Sequence, residues 1–168
     1  EPALCKLYVT PGGEGSGESW ESAVSFGVGL AGLSESLSTG DCSAGEIWMR
    51  AGTYKPGAES ESSFVLVSGL TIYGGFVGNE TTLSQRNLSQ NTTILSGLLD
   101  DGSRAYHVLS AQGQNTAEIR IDGVTVQSGG AVGSGDHRFG GGLFAKDSRV
   151  RLVDVAFISN EALLQGGG

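Results

Sequence analysis

The chain has 168 residues and a formal net charge of −8, with 29 glycines and 38% hydrophobic residues. The length suits one domain over residues 1–168 with a sizeable core. Glycine is far above its usual share of about 7%. It shows no Gly-X-Y period and alternates with apolar segments, which excludes collagen and simple disorder. The acidic balance excludes nucleic acid and anionic membrane surfaces as partners, and no apolar run is long enough for membrane insertion.

No signal peptide is present, and Glu1-Pro2 is what a chain would show after its signal had been removed. Residues 4–10 read as a first strand and Pro11–Gly17 as a flexible loop. Ser19 is then placed to cap a helix over 19–37, with Glu18 and Glu21 near its positive end. Trp20, Ala23, Val24, Gly27, Leu30, Ala31 and Leu37 follow helical spacing. Gly27, Gly29 and Gly32 each cost that helix about 1 kcal/mol relative to Ala. A loop follows over 38–45, then a strand over 46–51 ended by Gly52, and a turn at Tyr54–Gly57. Strands are predicted at 64–67 and at 70–73, the second closed by Gly74-Gly75, before a polar loop over 78–92. Further short strands are predicted at 93–96, 106–109, 117–121 and 124–126, separated by Gly, Asp or Ser.

The last third repeats. Gly140-Gly141-Gly142 recurs as Gly166-Gly167-Gly168, 26 residues on, with short apolar segments at 149–155 and 157–160 between. Leu70-Thr-Ile-Tyr-Gly-Gly aligns with Val124-Thr-Val-Gln-Ser-Gly-Gly at an offset of 54, and Asp122-Gly-Val-Thr-Val with Asp154-Val-Ala-Phe-Ile at 32. Glycine turns and short strands at such spacings are the mark of a solenoid, with unequal loops accounting for unequal offsets. An antiparallel sandwich is the alternative, but hairpin signals are scarce. Cys5 and Cys42 each precede a strand-like segment. If those strands are neighbours, a disulfide can close, contributing about 3–4 kcal/mol in the chain-entropy account. Otherwise they are two buried thiols.

The succession Leu7-Tyr-Val-Thr-Pro-Gly-Gly, Ser19-Trp-Glu-Ser-Ala, Ile47-Trp-Met-Arg-Ala-Gly-Thr-Tyr-Lys-Pro, Ile72-Tyr-Gly-Gly-Phe-Val-Gly-Asn-Glu-Thr and Thr93-Ile-Leu-Ser-Gly covers much of the chain. It resembles the start of secreted right-handed parallel β-helix proteins of the pectin-lyase-like superfamily. Gly140-Gly-Gly-Leu with Phe157-Ile-Ser-Asn160 is similar to the GG[A/G][I/L] and FxxN motifs of polymorphic-membrane-protein repeats. The resemblance implies coils of three strands, a helix capping the first coil, Phe157 pointing inward, and Asn160 in a ladder at a bend.

Chemistry-bearing motifs are few. Gly27-Val-Gly-Leu-Ala-Gly32 matches GxGxxG but lacks the strand before it and the acid after it that dinucleotide binding needs, so it reads as close helix packing. A polysaccharide-cleaving site would draw on Asp100, Asp101, Asp136, His137 and Arg138, since such chemistry needs positioned acids and bases. Those residues lie in Gly/Ser loops, where Asp most often forms turns. His107 reads as a packed or surface strand histidine. Asn79, Asn87 and Asn91 begin glycosylation sequons, meaningful on a eukaryotic secretory route and otherwise chance in a Ser/Thr-rich loop. No cofactor or metal is expected, since neither an EF-hand loop nor a repeated Gly-Asp nonapeptide is present.

The expectation is therefore an all-β, right-handed parallel β-helix with an N-terminal capping α-helix. Its cap spans about 1–45 and its coils about 46–168. The expected role is non-enzymatic and extracellular: a cell-surface stalk, adhesin or filament subunit, secreted, with a glycan or cell-surface ligand as a candidate partner. The alternatives are a carbohydrate-binding or polysaccharide-degrading protein, and a folding fragment without activity of its own. The C-terminal coil is expected to be covered by more chain, a second subunit or a stacked copy, because an open coil exposes strand edges.

Overall fold

The computed structural model describes residues 3–113 and 117–167; Glu1, Pro2 and Gly168 of the sequence reading lie outside the described residues. Among the described residues the chain is mostly β, with parallel sheets and one α-helix. In order, β1 is Ala3–Val9, α1 Phe26–Thr39, β2 Cys42–Arg50, β3 Gly52–Tyr54, β4 Phe64–Leu66, β5 Leu70–Phe76, β6 Thr93–Ser96 and β7 Leu109–Gln112. Then come β8 Ile119–Asp122, β9 Thr125–Gln127, β10 Gly130–Ala131, β11 Leu143–Lys146, β12 Val150–Val153, β13 Ala156–Ile158 and β14 Glu161–Ala162.

Every strand pairing is parallel. The largest sheet has the order β1-β2-β5-β8-β12, and smaller sheets have the orders β13-β9-β6-β3, β11-β7-β4 and β10-β14. From β5 onward the chain visits these sheets in turn, so each strand except β10 lies on one laid down a pass earlier. Such sheets are buried between passes and need apolar inward rows. Ile47, Ile72 and Ile121 are directly paired and fully buried. Tyr54, Leu95 and Val126 form the equivalent row of a second sheet, and Phe64 and Leu109 pair in a third.

The repeat resolves into a register that the residue matches miss. Ile119 pairs with Val150, Thr125 with Ala156 and Gly130 with Glu161, each 31 residues apart. The alignment at 32 is one residue out, because Asp122 pairs with Val153. The left-handed turn residue after it is Gly123 (φ 75°) in one pass and Asp154 (φ 48°) in the next. The backbone conformation is what repeats, and Asp occupies it without strong penalty. The alignment at 54 fails. Leu70 opens β5 whereas Val124 precedes β9, a strand of another sheet, and β5 pairs with β8 at Thr71–Arg120. The 26-residue spacing of the glycine runs does correspond to a stacking contact: Phe139 bridges Gln165, and the Gly140 and Gly141 N–H groups donate to the Gln165 and Gly166 carbonyls at 2.9 and 3.1 Å.

The helix begins later than its periodicity predicts, at Phe26 rather than residue 19. Ser19 does accept the Ser22 N–H at 3.2 Å, as an N-cap would, but the turn is not continued. Backbone pairing with β1 competes and wins there. Val24 bridges both Val9 and Glu14, and its N–H donates to the Tyr8 carbonyl at 3.1 Å. Ser25 is the N-cap, the first turn holds no acid, and Gly40 ends the helix in the left-handed conformation (φ 82°) that favours glycine there. Glu18 and Glu21 therefore do not act on the helix dipole. Phe26, Leu30 and Leu33 face the core beneath. Of the three GxGxxG glycines, only Gly29 packs closely, against Val24 and Leu7; Gly27 and Gly32 face open space.

Several strand boundaries also shift. β2 starts at Cys42, within the predicted 38–45 loop, Gly52 opens β3 instead of ending a strand, and β5 runs through Gly74-Gly75. The 106–109 strand is displaced to Leu109–Gln112. In each case pairing with the adjacent pass sets the strand length, and local propensity does not.

Candidate functional site

Cys5 and Cys42 form a disulfide, with Cα atoms 5.7 Å apart and a sequence separation of 37. They lie inside β1 and β2, not before them. The register jumps between Ala3 and Leu4, and this offset sets the two sulfurs diagonally across the pair.

The two repeat motifs meet at one corner. Phe157 pairs with Val126 of the fully buried row and is half-buried, pointing inward. Asn160 is buried; its Oδ1 accepts the Gly129 N–H at 2.9 Å and its Nδ2 donates to the Val126 carbonyl at 2.9 Å. One side chain thus satisfies both ends of the preceding turn. The position one pass earlier is Gly129, so this asparagine stands alone and no ladder forms there. Gly142 lies against the Phe157 ring and the Asn160 amide, and a Cβ on Gly141 would strike the Glu161 carbonyl. The triple glycine lets one turn nest on the next.

The predicted acid–base residues are separated and individually occupied. Asp100 pairs with Lys55 at 2.6 Å in full solvent. Asp101 accepts the Ser103 hydroxyl and N–H at 2.6 and 2.9 Å, which holds its carboxyl below the usual range and closes an exposed turn. Asp136 lies 3.6 Å from Lys146. His137 stacks on Tyr106, with centroids 4.5 Å apart. Arg138 is exposed and has no side-chain ion pair among the described residues. No hydrogen bond or ion pair joins Asp100 or Asp101 to Asp136, His137 or Arg138 among the described residues, and none of these holds a group of three or more His, Cys, Asp or Glu fit for a metal ion.

His107 is buried and stacks on Phe144 at 4.8 Å. Its Nδ1 lies 3.1 Å from the Gly140 carbonyl, which only accepts, so that nitrogen carries the proton. Burial lowers its pKa, against the opposing pull of the Gly140 and Phe139 carbonyls and Asp136. The histidine is a packed one.

The three sequons differ. Asn79 and Asn87 are exposed, and Asn87 closes a local turn by accepting from Ser89 and Gln90. The Asn91 amide donates to the Gly75 carbonyl at 3.3 Å, and Thr93 of the same sequon is buried, accepting the Gly75 N–H. Folding leaves Asn79 and Asn87 open and Asn91 engaged.

The sequence reading missed the outer face of the large sheet. Lys6 and Tyr8 of β1, Glu46 and Trp48 of β2, Thr71 and Tyr73 of β5, and Arg120 and Asp122 of β8 fall in two registered outward rows. Trp48 stacks on Phe76 at 4.5 Å, Lys6 sits 3.1 Å over the Trp48 ring, and Trp20 packs edge-on to Tyr8 at 4.8 Å. Trp20 Nε1 donates to the Glu80 carbonyl, and Glu80 is itself buried, accepting the Val77, Gly78 and Asn79 N–H groups. Burial alone would raise the Glu80 pKa; these bonds outweigh it and hold the pKa below the usual value. Further along, Asp122 is buried and accepts from Arg86 at 3.0 Å and Arg120 at 2.6 Å, with both guanidiniums against Tyr73. This second core outside the first ties the 77–92 loop to the sheet. The period-2 pairs Lys6/Tyr8, Glu46/Trp48 and Thr71/Tyr73 were its available signal.

Compared with protein-family models, with curated proteins and with solved structures, the chain matches none.

Proposed function

We propose that the chain follows a right-handed parallel β-helix path and serves a non-enzymatic, structural role outside the cell, as a stalk, adhesin or filament subunit. The observation that carries this reading is the stacking of strands in register, pass upon pass. Every candidate acid or base is meanwhile committed singly to a turn, an ion pair or a ring stack, or left exposed. Catalysis by acids and bases needs several such groups converging on one reacting atom. The Cys5–Cys42 disulfide supports an oxidising compartment. No helix among the described residues is long and apolar enough to cross a membrane. Two measurements test the reading together. An experimental structure is expected to show the passes winding right-handed, and viscometry with reducing-sugar assays on acidic polysaccharides is expected to show no cleavage. A left-handed path, or turnover lost with Asp136→Asn, overturns it.

Glycan binding is a second reading, favoured by the half-buried Tyr73 ring carrying Arg86 and Arg120. Glycan-array retention that disappears in Tyr73→Ala would establish it.

A further inference from the structure

Between β10 and β11 the chain leaves the stacked strands as a short projection, residues 132–139, built around a 3-10 turn at Gly135–Arg138. The projection bonds largely to itself. The Gly133 N–H donates to the His137 carbonyl at 3.0 Å, the His137 N–H to the Ser134 carbonyl at 3.1 Å and the Phe139 N–H to the Asp136 carbonyl at 3.2 Å. A run of four rings ties it to the strands. Phe144 of β11 stacks on His107 at 4.8 Å, His107 lies 5.4 Å from His137, and His137 stacks on Tyr106 at 4.5 Å. Gly133 fits the same stack, since a Cβ there would come within 2.8 Å of the His137 Cβ and 3.0 Å of the Tyr106 ring.

The two middle rings are imidazoles, the side chain that ordinarily gains its charge between pH 8 and 5. His107 is buried and His137 half-buried. The projection itself adds Asp136 and Arg138, and β11 adds Lys146, 3.6 Å from Asp136. On the approach to His107, Arg104 is paired with Glu161 of β14. In the pass before, Glu59 and Glu61 flank Ser60, whose carbonyl accepts the Tyr106 N–H. Neither imidazole is in an ion pair with any of these groups among the described residues. Burial is the largest influence on His107 and favours its neutral form. A charge on His137 acts the same way, and the Gly140 and Phe139 carbonyls and Asp136 oppose them without prevailing.

We propose that this four-ring stack is an acid-released latch, which holds residues 132–139 against the strands while both imidazoles are neutral and lets them go when both are protonated. Neutral rings in such a stack attract one another. Two imidazolium rings 5.4 Å apart repel, and beside a buried ring water screens that repulsion only in part. As pH falls below the ordinary value of 6.5, the open segment takes up protons that the closed one resists, so opening gains. Release uncovers the His107 and Phe144 rings, which are 7% and 8% exposed when the latch is closed. The latch goes beyond the structural role proposed above and does not depend on it.

Hydrogen exchange of the 168-residue chain, followed from about pH 7.5 to about pH 5 with the intrinsic rate divided out, tests it. Protection of the Gly133, His137 and Phe139 amides is expected to fall about tenfold or more across that range, while β6 and β9 keep theirs. His137→Phe leaves a ring in the stack and removes one charge, and should hold protection within about threefold over the same range. His137→Ala should lower protection at every pH. Should His137→Phe fail to fold, the imidazole resonances of the unchanged chain decide, because they are expected to titrate as a coupled pair. Protection indifferent to pH, a fall in His137→Phe as large as in the unchanged chain, a fall shared equally by β6 and β9, or two imidazoles that titrate independently overturns the latch.

Discussion

The first and last passes of the chain are built from the same strands and end in different ways. At the β1 end the core is closed. Phe26, Leu30 and Leu33 of α1 cover it, a disulfide staples β1 to β2, and an outer layer of Tyr8, Trp20, Trp48 and Phe76 covers the sheet's other face. At the β12 end the same inward row continues, but Leu152 and Phe157 lie only partly covered, and order comes from the nesting of Gly140–Gly142 on Phe157 and Asn160. In parallel stacking each row is buried only by the rows on both sides of it, so position in the stack, more than residue type, sets how much a side chain stabilises.

Paired truncations expose this most directly. Ile121→Ala is expected to cost about 2–5 kcal/mol, and Leu152→Ala, its register partner at the open edge, about 1 kcal/mol or less. Equal losses in denaturant melts would break the comparison. Reducing the disulfide, or Cys5→Ala with Cys42→Ala, is expected to cost about 3–4 kcal/mol. Protection from hydrogen exchange should fall first in β1 and α1, leaving β9–β13 unchanged. Asn160→Ala orphans the Gly129 N–H and Val126 carbonyl and is expected to cost about 1–3 kcal/mol, felt at the β12 end alone.

The smallest effects concern pH. The His107 pKa is depressed on folding, so its neutral form is the stable one. Its contribution is whole above the ordinary value of 6.5 and is lost as pH falls below it. His107→Gln should flatten stability between about pH 7 and 5. Glu80, also depressed, contributes above its ordinary value of 4.5 and loses that contribution on further acidification. Glu80→Gln should remove the acid sensitivity of the 77–92 loop near pH 4 without altering the His107 window. Thermal melts across pH resolve the two.

Several of these features were legible in advance. The short strands and the glycine corners follow from period-2 alternation and turn chemistry, both local properties, whereas the inward Phe157 and the bend at Asn160 came with the resemblance of their motif to a known repeat. The helix was legible in type but not in place: the periodicity of 20–31 is real, yet Val24 does more by pairing with β1 than by adding a helical turn. The outer layer was least legible, because Trp20, Trp48 and Phe76 come from separate passes and only register sets them together. Likewise, Asp122 was visible in the sequence only as part of a repeat, and pairing set it between Arg86 and Arg120.

The sequence by itself determined a parallel, glycine-cornered β protein with one helix near its start and an acidic character, since composition and alternation act within a few residues of themselves. Tertiary structure alone decided the register of 31, the burial of Asp122 and Glu80, and the engagement of Asn91 but not Asn79 or Asn87. Each of these depends on which residue of one pass lies above which residue of the last. Stacking fixes that correspondence through backbone hydrogen bonds that carry no mark of residue identity.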